Sequence, residues 1–221
     1  IYLKGKKNMV HALNNINLKI DDRETVAIIG ESGAGKSTLL HIMSCIDNFD
    51  GEYYLDNIDI NKLSESKKSK LRSIYKSTSG KNIGIVLQDF ALIDDFTVFE
   101  NVMTPLYFNK KIKDKKGSVM RALKKTGIVS LKAKKVSQLS GGQKQRVAIS
   151  RALVTSPEYI FADEPTGSLD SKTSEEIVKM LFDLNRNGIT IVIVTHNLEI
   201  ANQCHHIIEI KDGNIIKDIC S

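Results

Sequence analysis

Gly30, Glu31, Ser32, Gly33, Ala34, Gly35, Lys36 and Ser37 match G-x-x-x-x-G-K-[ST] in full. Glycines at 30, 33 and 35 let the backbone bend until its N–H groups point inward at a phosphate. Lys36 adds a full positive charge for the β- and γ-phosphates, and the Ser37 hydroxyl is a ligand type suited to Mg2+. An apolar run at 26–29 feeds the loop, and an amphipathic run from Thr38 to residue 46 leaves it. Strand, loop and helix is the context this motif requires. The helix start turns its partial positive charge toward the same anion. The chemistry implied is nucleoside triphosphate binding, and it leaves kinases, GTPases and motor ATPases open.

A second cluster ends an apolar run. Tyr159, Ile160, Phe161 and Ala162 lead into Asp163 and Glu164. Asp163 is placed to hold Mg2+, and Glu164, one residue on at a strand's carboxyl edge, can polarise an attacking water as general base. A third cluster is Leu139, Ser140, Gly141, Gly142 and Gln143. Ser140 and Gln143 have capping-box spacing, and the two glycines leave bare N–H groups at the positive end of a helix. That makes a second phosphate cradle. One nucleotide-binding loop has no use for two cradles unless two copies face each other.

These residues need elements to position them. Short apolar runs at Thr25–Ile29, 82–87, 158–162 and 190–195 read as strands of a buried parallel sheet, with helical stretches between them. The class is α/β. Residues 12–20 and 52–60 alternate apolar and polar, which predicts half-exposed antiparallel strands. Residues 207–210 and 214–219 flank Asp212-Gly213, a hairpin signal. Residues 89–156 read as an inserted helical subdomain within a single domain spanning 1–221. A helix over 172–187 shows Ile177, Met180, Leu181 and Leu184 on one face and Gly188 at its end. Thr97 and Glu100 have capping-box spacing before another helix.

Composition narrows the class further. The 221 residues are 41% hydrophobic and 26% charged, as expected of a folded globular chain rather than a disordered one. No apolar run is long enough to span a bilayer, and no secretory signal opens the sequence. Three cysteines make no disulfide framework and point to a reducing compartment. Cys204, His205 and His206 fit no zinc spacing and read as a helix-to-strand junction. Residues 110–135 hold eleven Lys or Arg against Asp114 alone, and residues 62–81 hold seven against Glu65. A solvated helical surface accounts for these runs first, nearness to an anionic membrane second. No nucleic acid is expected, since no aromatics interleave the basic runs.

The ordered set of Gly30–Ser37, Leu139–Gln143, Tyr159–Glu164, Ser168-Leu169-Asp170 and His196 resembles the phosphate loop, signature, Walker B, D-loop and switch histidine of ABC-transporter ATPases. The resemblance covers nearly the whole chain and implies a P-loop NTPase core with a mostly parallel sheet, an antiparallel β subdomain and a helical subdomain. It implies ATP and Mg2+ as ligands and two subunits clamping two ATP head to tail. Gln88 resembles the glutamine that contacts Mg2+ and the attacking water, and Tyr2 the aromatic that stacks on adenine. His196 would contact the γ-phosphate, and Asp170 would couple the two sites.

Residues 28–40 and 163–170 are similar to the lipoprotein-release, macrolide-export and antimicrobial-peptide branch. Residues 88–101 are nearest the bacteriocin and peptide exporters. The expectation is an ATP-hydrolysing subunit at the cytoplasmic face of the membrane, paired with a permease on a separate chain. A cytoplasmic helix of that permease would meet Phe90, Leu92, Ile93 and Phe96. A cell-division or mechanotransmission ATPase, or a soluble member acting on DNA or ribosomes, are the alternatives.

Overall fold

The structure, a computed structural model, describes residues 12–73, 82–107, 109 and 112–220. Strand β1 (Thr25–Ile29) runs into helix α1 (Lys36–Met43). Two short antiparallel strands, β2 (Tyr54–Leu55) and β3 (Ile58–Asp59), and helix α2 (Glu65–Ser73) precede β4 (Ile83–Val86). Then come helices α3 (Val98–Tyr107), α4 (Lys115–Lys125) and α5 (Gly141–Leu153). The chain returns through β5 (Tyr159–Asp163), α6 (Ser171–Arg186), β6 (Thr190–Val194) and α7 (Leu198–Ala201). It closes on the hairpin of β7 (His206–Lys211) and β8 (Asn214–Cys220).

The main sheet has the order β4-β5-β6-β1-β7-β8. Its first five strands are parallel, and β8 pairs antiparallel with β7. Every residue of β1, β5 and β6 is buried. Alternation within those strands separates two cores. Ile160, Ala162, Ile191 and Ile193 face α3, α4, α5 and α6 through Val102, Leu123, Val147 and Ile177. Tyr159, Phe161, Val192 and Val194 face α1 and the small β region through Leu40, Leu55 and Ile60. A sheet covered on both faces explains why its strands read as continuous apolar runs. Each fully buried Leu or Ile adds about 1.5–3 kcal/mol.

Among the described residues, the expected strand over 12–20 is not present. Its exposure alternates from Asn14 to Ile20, and Leu13, Ile16, Leu18 and Ile20 pack on the α1-side core. Alternation reports one covered face, but a strand also needs a hydrogen-bonded neighbour. Among the described residues its one loop-type backbone bond to another segment is from Asn14 N–H to the Gly213 carbonyl, 2.7 Å. In 52–60 the pattern yields only the two-residue strands β2 and β3 around Asp56 and Asn57, both at positive φ. Elsewhere the punctuation is as expected. Asp212 and Gly213 sit at φ 47° and 77° in the β7–β8 turn, and Gly188 at 93° ends α6.

The basic face of α4 is solvated. Val119, Ala122 and Leu123 point inward while Lys116, Arg121, Lys124 and Lys125 are exposed.

Candidate nucleotide site

The phosphate loop lies between β1 and α1. Gly30 has φ 146°, and a Cβ there would stand 2.1 Å from the Ile210 carbonyl oxygen. Gly35, at φ 105°, brings its Cα so near Ala12 that an added Cβ would meet the carbonyl oxygen at 2.6 Å. Both positions therefore require glycine. Helix α1 has Gly35 at its N-cap with no side-chain cap. Helices α4, α5, α6 and α7 are capped by Asp114, Ser140, Asp170 and Asn197. The first N–H groups of α1 thus keep their donors free for an anion. The Lys36 ammonium donates to the Gly30 and Glu31 carbonyls, 2.8 Å each, which holds the charge over the loop. Glu31 and Ser32 are exposed on the loop's outer turn, and Thr38 is half-buried on α1.

The sheet order brings the other groups to this loop. Gln88, Asp163 with Glu164, and His196 follow β4, β5 and β6, so they line the carboxyl edge alongside the loop that follows β1. Ser37 Oγ donates to Asp163 Oδ1 at 3.1 Å. Asp163 is only 6% exposed. A buried carboxylate and a hydroxyl are hard oxygen donors, a set that fits Mg2+. Glu164 adopts φ 43°, an uncommon backbone for a side chain of this size. Its N–H donates to the Val194 carbonyl at 3.0 Å, which pins the turn to the end of β6. The His196 Nδ1 lies 3.0 Å from both Glu164 oxygens. The pairing of Glu164 with His196 is not readable from either motif.

The signature heads a different helix, α5. Ser140 caps α5: the Gln143 N–H donates to Ser140 Oγ at 3.4 Å, and the Ser140 N–H donates to Gln143 Oε1 at 3.2 Å. Among the described residues no hydrogen bond links 140–143 to the phosphate loop. Gly141 and Gly142 instead abut residues 169 and 173. A Cβ on Gly142 would be 2.3 Å from Thr173 Cγ2, and one on Gly141 3.3 Å from Leu169 Cδ2. Asp170 caps α6, accepting from the Thr173 N–H at 3.0 Å and the Thr173 hydroxyl at 2.6 Å. The Thr173 hydroxyl holds the Asp170 carboxyl below the usual range. Tyr2 lies outside the described residues.

Two groups that position the Gln88 segment escaped the sequence reading. The Arg151 guanidinium, on α5, donates to the Phe90 carbonyl at 2.7 Å and to the Ala91 carbonyl. Those two residues sit at φ 58° and 47°, so the clamp secures a left-handed turn. Burial pushes the Arg151 pKa down. Asn101, 1% exposed, receives the Ile93 N–H at 2.8 Å and donates to the Ile93 and Thr97 carbonyls at 3.0 and 3.1 Å. Arg151 had one signal, as one of only six arginines; Asn101 had none. Of the four apolar residues after Gln88, Phe90 and Leu92 pack on the helical core, while Ile93 and Phe96 are 45% and 37% exposed.

Residues 13–167 match the family profile described as ABC transporter. The chain belongs to the ABC transporter family. It is 42% identical over 219 residues to the ABC transporter ATP-binding protein YvrO of Bacillus subtilis, covering 98% of this chain and 92% of that one. It is equally identical, over 222 residues, to the ATP-binding protein MJ0796 of Methanocaldococcus jannaschii, covering 97% and 92%. The macrolide export ATP-binding/permease protein MacB of Mannheimia succiniciproducens is also 42% identical, but this chain spans only 33% of its length. The fold superposes on the dimeric post-hydrolysis structure of MJ0796 bound to ADP and Pi with a TM-score of 0.87 and 40% identity, covering 98% of this chain and 94% of that one. The ABC cassette described here is therefore a P-loop NTPase of a transporter, and its activity is ATP hydrolysis coupled to transport.

Proposed function

We propose that two copies of this cassette close head to tail on two ATP molecules and drive a membrane permease that exports a peptide, antimicrobial or other amphipathic substrate. The observation that carries the reading is Ser37 hydrogen-bonded to Asp163 at 3.1 Å, one residue from the Glu164–His196 pair. Lys36 and the uncapped start of α1 bind the phosphates. Ser37 and Asp163, with Gln88, would hold Mg2+, which neutralises charge on the β- and γ-phosphates. Glu164 takes the proton of the attacking water, and His196 orients its carboxylate. Ser140, Gly141, Gly142 and Gln143 would cap the partner's γ-phosphate, and Tyr2 would stack on adenine.

The dimeric structures of MJ0796 support self-association, and the MacB relatives, macrolide export ATP-binding/permease proteins, support an exporting permease. No helix among the described residues is long and apolar enough to cross a membrane, so a permease would tether the cassette to the cytoplasmic face. A groove of about 220 Å³ beside the Gln88 segment, lined by Ile46, Leu87, Pro105 and Arg151, has room for a side chain projecting from a permease helix; Phe90, Leu92, Ile93 and Phe96 do not line it.

Two substitutions test the assignment. Lys36→Ala removes the phosphate charge and should weaken ATP binding itself. Glu164→Gln should keep ATP affinity within a few-fold and lower kcat by about 10²–10⁴. Nucleotide binding by calorimetry and phosphate release separate the two. Unchanged ATP affinity in Lys36→Ala, or full turnover in Glu164→Gln, would refute it.

A further inference from the structure

At the opposite end of β1 from the phosphate loop, strands β7 and β8 and the residue just before β1 bring a histidine, a cysteine and a glutamate together. Antiparallel pairing sets His206 across from Cys220, and parallel pairing sets it beside Val26, two residues beyond Glu24. Side chains alternate along a strand, so Glu24, His206, Asp218 and Cys220 share one face. His206 is 2% exposed. Its Nε2 lies 2.6 Å from Asp218 Oδ1, and a carboxylate can only accept, so Nε2 carries the proton. Nδ1 is then the atom in question. It is buried, it has no hydrogen-bond partner, and it faces Glu24 Oε2 across 3.5 Å. In the neutral ring a nitrogen lone pair meets a carboxylate there, a contact that either a second ring proton or a metal cation relieves. The Cys220 sulfur completes the group: one donor atom from each of Glu24, His206 and Cys220 lies within 4.8 Å of the others.

We infer that Glu24 Oε, His206 Nδ1 and Cys220 Sγ form a binding site for a borderline-soft divalent metal of the Zn2+ class. Nitrogen, oxygen and thiolate donors are the set such an ion takes, and hard Mg2+ is disfavoured by sulfur. Asp218 on the far ring nitrogen is the orienting carboxylate that metal-bound histidines use. A carboxylate and a thiolate neutralise the dication, with the thiol proton released to water on binding. Tetrahedral bonds of about 2.0–2.3 Å separate donors by about 3.3–3.8 Å, so the site closes by about 1 Å on loading. Cys220 is exposed on the edge strand β8, where that movement meets little packing. Three protein donors leave a fourth position for water. The ion would pin β8 to β7 and to the start of β1.

Co2+ is the probe, because it reports the donor set in its spectrum. The nucleotide-free 221-residue chain is titrated with Co2+ and then with Zn2+. The expected result is one equivalent of Co2+, a tetrahedral visible band and a thiolate-to-cobalt charge-transfer band, all bleached by Zn2+. Cys45 and Cys204 are buried, so the thiolate band reports Cys220. Cys220→Ser should abolish that band without unfolding the chain, since the side chain is exposed. Asp218→Asn should keep the band and weaken affinity about 10–100-fold. Absence of charge transfer in the parent chain, or its persistence in Cys220→Ser, would overturn the inference.

Discussion

Glu164 meets two demands at once. It must follow directly on a fully buried strand, and as the proposed general base it must present a carboxylate to the nucleotide. A left-handed backbone, a bond to the end of β6 and the His196 ring together hold it there. The residue types were legible in the sequence because each motif is contiguous: the chemistry of Lys36, Ser37, Asp163 and Glu164 follows from neighbours one to six positions away. The contacts that orient them were not, because they join distant parts of the chain. His196 reaches Glu164 across 32 positions, and Arg151 reaches Phe90 across 61. The pairing yields a prediction at this scale. His196→Ala should lower kcat by about 10²-fold, with the KM for ATP little changed, because Glu164 loses its orienting partner. Steady-state kinetics decide it; a rise in KM with kcat preserved would place His196 in ground-state binding instead.

Among elements, the strands were the most legible. Parallel strands covered on both faces must be apolar throughout, and no other short element has that requirement. The stretch over 12–20, which forms no strand among the described residues, differs for a related reason: its alternation records which side chains are covered and carries no mark of how the backbone is paired. The signature shows a second kind of blind spot. Its glycines read as bare phosphate donors, yet Gly142 also makes room for Thr173 at the start of α6. Two effects then compete in Gly142→Ala. Alanine is better in a helix by about 1 kcal/mol. A Cβ set 2.3 Å from a methyl forces repacking, at about 1–3 kcal/mol. Thr173 cannot turn away freely, since its hydroxyl is bound to Asp170. The clash should win, and chemical denaturation should show Gly142→Ala less stable than the parent. Adding Thr173→Ser, which keeps the hydroxyl and removes the methyl, should restore stability. A stabilised Gly142→Ala single variant would mean the two helices are not packed as described.

At the scale of the whole molecule, one chain holds half of each site the account requires. The phosphate loop, Asp163, Glu164 and His196 share one sheet edge. The signature is built on α5, tied to α6 through Gly142 and Thr173, with no hydrogen bond to its own phosphate loop among the described residues. In the proposed clamp, a second copy would supply what is missing. The two phosphate cradles in one sequence suggest a partner, and the fold shows that they head two different helices, α1 and α5. The most direct measurement is the mass of Glu164→Gln in solution, by sedimentation velocity, with and without saturating Mg-ATP. The expected result is a monomer without nucleotide and a stable dimer holding two ATP with it. A chain that binds ATP under those conditions and stays monomeric would contradict the two-cassette clamp.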